Sequence, residues 1–337
     1  MTPKILVTVG PNSLNPRVIQ KCADIGVFLF RLNLSHTPIE NVADNIDKLR
    51  AWTSVPICLD SEGAQLRNQE MKKNGVNFKA GDQVTIHFCK TIGDASNISF
   101  NPTGIAKKFK VEDEINLDFN GAALRVLKCE KNNCIAKIIK AGHVGSNKAA
   151  SLNRHITMPA ITKKDRMAID IGLKNGVEHF ALSFASSAND VARMRRLCGP
   201  DAKIISKIET RKALANLPAI LSETDEILID RGDLSRQLPI EKIPFLQRRI
   251  VSMAKAQGVP VYIATNLLES MVTAETPTRA EANDIVSSLL MGADGLVLAA
   301  ETAIGRYPEK CVEMVSRLSD LTLKWTANSS IEDVMQF

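Results

Sequence analysis

Aromatic residues are scarce in this chain. Phe, Trp and Tyr make up 4% of its 337 residues, with two Trp and two Tyr. Single-stranded nucleic acids are commonly gripped by stacking bases on such rings, so the scarcity argues against a nucleic-acid platform. A strong charge of one sign is also missing. Lys and Arg number 43 against 37 Asp and Glu, a net +6, and the basic residues are scattered. That mild balance fits a cleft for a small phosphorylated molecule. No apolar run reaches the ~18 residues that would span a bilayer. Met1-Thr2-Pro3-Lys4 before a short apolar strand does not read as a signal peptide. The cysteines are seven, irregularly spaced, and no C-x-x-C occurs. This excludes a disulfide framework and a zinc ribbon, and points to a reducing, cytoplasmic setting. His36, His87, His143, His155 and His179 fall at no metal-ligand spacing, and the Cys and Met positions read as core filling. The first strand runs into Gly10-Pro11-Asn12-Ser13 where a dinucleotide-binding fold would want G-x-G-x-x-G, and no G-x-x-x-x-G-K-[ST] occurs.

What is present is an ordinary globular balance, 45% hydrophobic and 24% charged. At ~100–200 residues per domain the length allows one large domain or two ordinary ones. Short apolar runs alternate with helical patterns. Strands are predicted at Lys4–Val9, Val27–Asn33, Pro56–Leu59, Glu178–Ser183, Lys203–Ile208, Glu226–Ile229, Pro260–Ala264 and Gly295–Ala299. Helices are predicted at Pro16–Gly26, Pro38–Trp52, Asp165–Asn175, Ala188–Leu197, Arg211–Leu221, Pro244–Ala256, Arg279–Met291 and Pro308–Lys324. Nearly continuous apolar strands are buried on both faces. Eight such βα pairs across ~250 residues predict an α/β fold, a (β/α)₈ TIM barrel, with an open doubly wound sheet as the alternative. Asn68–Met158 breaks the rhythm with Gly- and Asn-punctuated alternating segments, among them Asp82–Phe88, Glu114–Leu117, Ala122–Cys129 and Asn133–Ala141. It reads as an all-β cap domain inserted after the third strand, on the barrel's C-terminal face. The expected layout is a barrel over 1–67 and 159–328, the insert over 68–158 and a loose tail over 329–337.

The chemistry-bearing residues sit at the strand ends. In Ser206-Lys207-Ile208-Glu209, Lys207 and Glu209 share one face, the interior of a barrel. Both are unfavourable there unless each meets an opposite charge or a metal. They read either as a structural ion pair or as a metal carboxylate beside a phosphate-binding ammonium. Arg31, Asn33 and Ser35 alternate in the same way. Arg suits an anionic oxygen pair and the others offer neutral oxygens to a cation, or Asn33 or Ser35 caps the helix from Pro38. Asp60 and Ser61 end the third strand. Asp233, in Arg231-Gly232-Asp233 after the sixth strand, adds a carboxylate beside Glu209, the oxygen set of a Mg²⁺ site. Gly232 permits close backbone approach, and a helix starting there offers N–H groups to an anion. Thr265 is expected at the mouth with its hydroxyl free. Thr278-Arg279-Ala280-Glu281 reads as a helix cap.

Taken in order, these segments resemble the pyruvate kinase family. The matching pieces are Thr8–Pro11, Arg31-Leu-Asn-Leu-Ser-His36, Asp60-Ser-Glu-Gly63, Arg67, Thr162–Asp165, Ser183-Phe184, Ser206–Glu209, Arg231–Leu234, Ala264–Met271, Pro277–Glu281, Glu301–Ala303 and Gly305–Pro308. The resemblance implies transfer of the phosphoryl group of phosphoenolpyruvate to ADP, giving pyruvate and ATP. It implies that Arg31 and Lys207 bind the moving phosphoryl group and that Glu209 and Asp233 hold Mg²⁺ or Mn²⁺. Asn33, Ser35, Asp60 and Ser61 would ligate K⁺, with Ser61 replacing the usual Thr. Thr265 would lie near the enolate carbon, with Ser183, Gly232 and Asp233 around the substrate and His36, Arg67 and Lys164 along the nucleotide. The partners implied are thus phosphoenolpyruvate and a nucleoside diphosphate, with a homo-oligomer compatible and neither nucleic acid nor membrane expected.

Several positions depart from the family pattern. The chain ends after the eighth helix, where the family usually continues into a C-terminal α/β domain, so the expectation is a short form. Glu62 reverses a cleft charge, and Gln65 stands at the position that distinguishes potassium-dependent from independent members. Asp230 replaces an Ala, Ser186 stands where Arg is frequent, and Thr210-Arg211 replaces an Asn-His pair. The donor half of the site looks complete and the acceptor half divergent. The competing readings are therefore a phosphoenolpyruvate-dependent kinase with another small-molecule acceptor, a Mg²⁺-dependent pyruvate-enolate barrel lyase, and a non-catalytic binding protein.

Overall fold

In a computed structural model of the chain, the described residues are 2–63, 65–72, 75–118, 121–154, 156 and 158–336. His155, counted among the histidines above, lies outside them. The chain divides into two compact units, Met1–Gly63 with Ala160–Phe337, and Ala64–Pro159.

The first unit is a closed barrel of eight strands. They are β1 (Lys4–Val9), β2 (Leu29–Asn33), β3 (Ile57–Asp60), β4 (His179–Leu182), β5 (Lys203–Ile208), β6 (Glu226–Asp230), β7 (Val261–Ala264) and β8 (Gly295–Leu298). All neighbours pair in parallel, and β8 closes on β1. Because side chains alternate, each strand feeds two cores. Phe30, Leu32, Ile204, Ile208, Ile227 and Ile229 face the surrounding helices. Leu6, Leu29, Cys58, Ala181, Ile205, Leu228, Tyr262 and Val297 fill the barrel's interior. At the N-terminal end of the interior, Tyr262 Oη donates to Glu226 Oε1 at 2.8 Å. Lys4 Nζ lies 3.3 Å from that same oxygen, 3.1 Å from Tyr262 Oη and 4.0 Å from the centre of the Phe28 ring.

Local chemistry sets the helix ends. Asn15 accepts from Val18 N–H to start Pro16–Ile25, and Gly26 ends it at φ 102°. Thr162 with Asp165, and Thr278 with Glu281, form reciprocal caps, so Thr278 has the structural role its spacing predicts. Asp165 does more. Its carboxylate also accepts from Glu62 N–H at 2.7 Å and Gly63 N–H at 3.2 Å.

Three expectations need correction. Arg211–Leu221 is two short helices, Arg211–Ala215 and Leu217–Leu221, because Pro218 cannot continue the first. The predicted Pro38–Trp52 helix opens with a 3₁₀ turn, Ile39–Asn41, before the α-helix Val42–Trp52. The tail is not loose throughout. Ile331–Gln336 is an exposed helix, and Ser330 and Asp333 cap it reciprocally, a three-residue spacing visible in the sequence. Among the described residues, no helix is long and apolar enough to cross a membrane.

The second unit is built of short strands. Seven form one sheet in the order Ala150–Leu152, Glu114–Leu117, Ala123–Cys129, Asn133–Lys140, Gln83–His87, Asn97–Asn101 and Arg67–Asn68. Gly142–Val144 pairs with Val76–Phe78. Ile86, Phe100, Ile115, Leu124, Val126 and Ile138 belong to its own core. Cys89 and Cys129 are exposed, so not every cysteine fills a core as expected. Cys129 comes at the turn end of its strand, where alternation no longer buries alternate residues.

Candidate active site

The C-terminal end of the barrel gathers charge. Lys207, near the end of β5, points inward above Ile205 and is 5% exposed. Its Nζ lies 2.8 Å from Glu209 Oε1, 3.4 Å from Asp60 Oδ2, 3.5 Å from Asp230 Oδ2 and 3.2 Å from Ser183 Oγ. Arg31 approaches from β2, its Nε 3.5 Å from the same Asp60 oxygen but without a hydrogen bond's alignment. Ser183 Oγ donates to Asp60 Oδ1 at 3.2 Å. Asp60 therefore joins the two cations and the serine. Glu209 Oε2 accepts the Phe184 N–H at 2.6 Å, while Oε1 is buried with no hydrogen-bond donor aligned on it.

Carboxylate oxygens of Glu209, Asp230 and Asp233 lie within 4.8 Å of one another. Such an arrangement needs positive charge, and Lys207 supplies it to Glu209 and Asp230 while Arg236, 2.9 Å away, supplies it to Asp233. Burial pushes the Glu209 carboxyl up to about 8; Lys207 opposes this, and Asp233 and Asp230 add to it. For Asp230, burial is outweighed by Lys207 and Arg31, and its carboxyl is held below the usual range. For Lys207, burial is outweighed by Asp60, Glu209 and Asp230, so the ammonium is strengthened and stays charged.

The structure brings together Arg31, Asp60, Ser183, Lys207, Glu209 and Asp233 as the sequence predicts. It also corrects three details. The Thr265 hydroxyl is not free: it donates to Ala264 O at 2.6 Å and accepts from Gly232 N–H at 2.8 Å. Thr265 sits at φ 70°, a left-handed backbone that brings its own hydroxyl over its neighbour's carbonyl. For the same reason the turn at Gly232 does not present open N–H groups, since Gly232 N–H goes to Thr265 and Asp233 N–H to Asp230 Oδ1 at 3.3 Å. Asn33 Oδ1 caps its own turn through Ser35 N–H at 2.9 Å and does not start the helix after Pro38. Ser61 Oγ accepts Ser183 N–H at 2.9 Å. His36 is exposed on the turn after β2. Lys164 Nζ donates to Leu34 O and lies 3.5 Å from Glu62 Oε2. Arg67 belongs to the inserted unit, where Nη1 donates to Asn147 O at 3.1 Å.

Two contributors were undervalued. Asp60 is a hub as well as an oxygen donor, and Asp230 is part of the carboxylate group and caps the turn that carries Asp233. Alternation along β6, with Leu228 inside, was the available signal for Asp230. A third residue, Arg231, fixes the Thr265 turn. Its Nε lies 3.2 Å from both Ala264 O and Thr265 O, and its Nη1 pairs with Asp284 Oδ2 at 2.6 Å.

A family model described as pyruvate kinase, barrel domain, matches residues 1–312. Among curated relatives, a pyruvate kinase of Thermotoga maritima is 33% identical over 325 residues, covering 94% of this chain and 70% of the relative. A pyruvate kinase of Methylorubrum extorquens is 31% identical, covering 94% and 68%, and one of Thermococcus litoralis is 32% identical, covering 95% and 69%.

Proposed function

Because the chain belongs to the pyruvate kinase family, we propose that it moves the phosphoryl group of phosphoenolpyruvate to ADP or another nucleoside diphosphate, giving pyruvate and the triphosphate. The observation that carries this reading is a set of two buried cations, Arg31 and Lys207, joined through Asp60 beside three carboxylates at adjacent strand ends. Phosphoryl transfer needs little covalent chemistry from a protein and much positioning and charge compensation. Arg31 and Lys207 would hold the transferring oxygens. Their partner Asp60, itself hydrogen-bonded by Ser183, keeps both in place before substrate arrives. As the phosphoryl group leaves the enol oxygen for the diphosphate, the resulting enolate takes a proton at carbon. Thr265, held by Gly232 N–H and Ala264 O, is the residue we place beside that carbon.

A divalent ion fits this donor set. Glu209 and Asp233 would hold Mg²⁺ or Mn²⁺ with Asp230 alongside, as the close carboxylates and the unaligned Glu209 Oε1 support. When bound it supplies positive charge for the phosphoryl oxygens. Asn33, Ser35, Asp60 and Ser61 are the proposed K⁺ ligands, and His36 and Lys164 flank the nucleotide. One contact favours a second reading, with the same donor and a different acceptor: Glu62 sits 3.5 Å from Lys164 and offsets a charge that a diphosphate would use.

The test is purified protein with phosphoenolpyruvate, Mg²⁺ and a panel of nucleoside diphosphates, with and without K⁺, following pyruvate. Release with a diphosphate supports the first reading. Release only with non-nucleotide acceptors supports the second, and none with any acceptor removes both.

A further inference from the structure

The inserted unit contains a contact that phosphoryl transfer does not use. Strands Ala123–Cys129 and Asn133–Lys140 form an antiparallel hairpin in which Cys134 lies opposite Cys129. One step nearer the turn, Glu130 N–H donates to Asn133 O at 2.8 Å. Positions 129 and 134 are therefore the adjoining non-hydrogen-bonded pair, the kind whose side chains approach most closely. Backbone separations of such pairs fall within the span of a disulfide. The sulfurs themselves are 2.9 Å apart, with Cys134 Sγ donating to Cys129 Sγ.

The two thiols differ in access. Cys129 is exposed and ends its strand, and Cys134 is buried. Cys134 is also held from its other side, opposite Ile86 of Gln83–His87, so it cannot drift from its partner. An oxidant meets the outer sulfur first, with the inner one already in place to resolve the product. The remaining cysteines have other settings. Cys22, Cys58, Cys198 and Cys311 are buried, and Cys89 is exposed beside Thr91.

We propose that Cys129 and Cys134 are a reversible dithiol–disulfide site, oxidised by hydroperoxides and reduced by low-molecular-weight thiols. The Cys129 thiol gives up its proton, its sulfur attacks one peroxide oxygen, the O–O bond breaks, and a sulfenic acid forms as the departing oxygen takes that proton and leaves as water (as an alcohol from an organic hydroperoxide). Cys134 sulfur then attacks the Cys129 sulfur, the S–O bond breaks, and a second water leaves with the Cys134 proton. Two thiols give up two electrons and the peroxide takes both. Two small thiols, or one dithiol, reverse the change by two successive exchanges and leave as their own disulfide.

The experiment exposes the full chain to hydrogen peroxide, alkylates it under denaturing conditions and maps its peptides by mass, with and without dithiothreitol. The expected product is a Cys129–Cys134 linkage lighter by two hydrogens, fully reversed by dithiothreitol. Cys129→Ser should show no linkage and return Cys134 as the alkylated thiol. Cys89, also exposed, gauges the oxidation. The proposal is overturned if Cys89 is oxidised while Cys129 and Cys134 are both recovered alkylated. It is equally overturned if wild-type Cys129 proceeds to sulfinic acid without forming the linkage. The wild-type map decides the matter even if Cys134→Ala fails to fold.

Discussion

The two ends of the barrel interior each set a lysine against carboxylate, and they are balanced differently. At the N-terminal end one ammonium, Lys4, meets one carboxylate, Glu226, and Tyr262 and the Phe28 ring complete the set. At the C-terminal end Arg31 and Lys207 face Asp60, Glu209, Asp230 and Asp233. Among the described residues, four carboxylates there meet three cations when Arg236, paired with Asp233 at 2.9 Å, is counted. A balanced cluster needs no further charge in the folded protein, although Glu226 Oε2 is buried without a hydrogen-bond donor. An unbalanced one must either keep a proton, as Glu209 does up to about 8, or exchange it for another cation, and that difference separates a structural ion pair from a site.

The sharpest way to break this comparison is to remove each lysine. Lys207→Met should lower pyruvate release by about 10²–10³-fold. It should also destabilise the fold by about 3–5 kcal/mol, since it strands buried carboxylates. Lys4→Met, at a side chain that is 29% exposed, should lose about 1 kcal/mol or less and keep its pyruvate release. Urea unfolding and steady-state assays report both, and equal losses at the two ends would erase the distinction.

The second test adds the missing charge. Mg²⁺ at a hundredfold excess over its dissociation constant should stabilise the protein by about 2.7 kcal/mol, read as a rise in Tm. Glu209→Gln should abolish that rise and Glu226→Gln should keep it. A Mg²⁺ response in Glu209→Gln would place the ion elsewhere. A smaller effect belongs to the balanced end. Tyr262→Phe deletes a hydroxyl that donates to Glu226 at 2.8 Å, so it should lose about 1–3 kcal/mol in unfolding experiments with activity unchanged.

The last test is a pH slope. Glu209 has its carboxyl raised from 4.5 to about 8 by burial, with Lys207 opposing and the neighbouring carboxylates adding. Between those values the unfolded chain releases a proton that the folded chain keeps, so metal-free stability falls as pH rises through that window. The slope from this group is at most about 1.4 kcal/mol per pH unit. His179, whose burial holds its ring below 6.5, works in the opposite direction beneath that value. The difference between wild type and Glu209→Gln isolates the carboxyl, and saturating Mg²⁺ should flatten it.

The barrel was legible because its signals are local. Short, nearly continuous apolar runs with Gly or Pro punctuation placed β1 and β5 to the residue. Lys207 and Glu209 were legible for the same reason, being neighbours on one face of one strand. What lay hidden depends on partners that meet across the sheet. Lys4, Glu226 and Tyr262 come from β1, β6 and β7 and converge only once the barrel closes. Asp60 became a hub through Arg31 on β2, Ser183 just after β4 and Lys207 on β5. Backbone conformation was the other blind spot: nothing in Ala264-Thr265-Asn266 announces that Thr265 and Asn266 sit at φ 70° and 54°.

Asp165 has a consequence for the chain's modularity. One carboxylate binds Glu62 and Gly63 N–H on the way out of the barrel and Thr162 N–H on the way back. The exit and the return are thereby tied to one point. Seen from the barrel, the inserted segment is a closed loop whose ends are already joined, and closure entropy grows only slowly with a loop's length. The barrel's topology would therefore tolerate an insert of another size or another fold at this position. Here the joint, more than the insert it carries, is the part that the barrel cannot exchange.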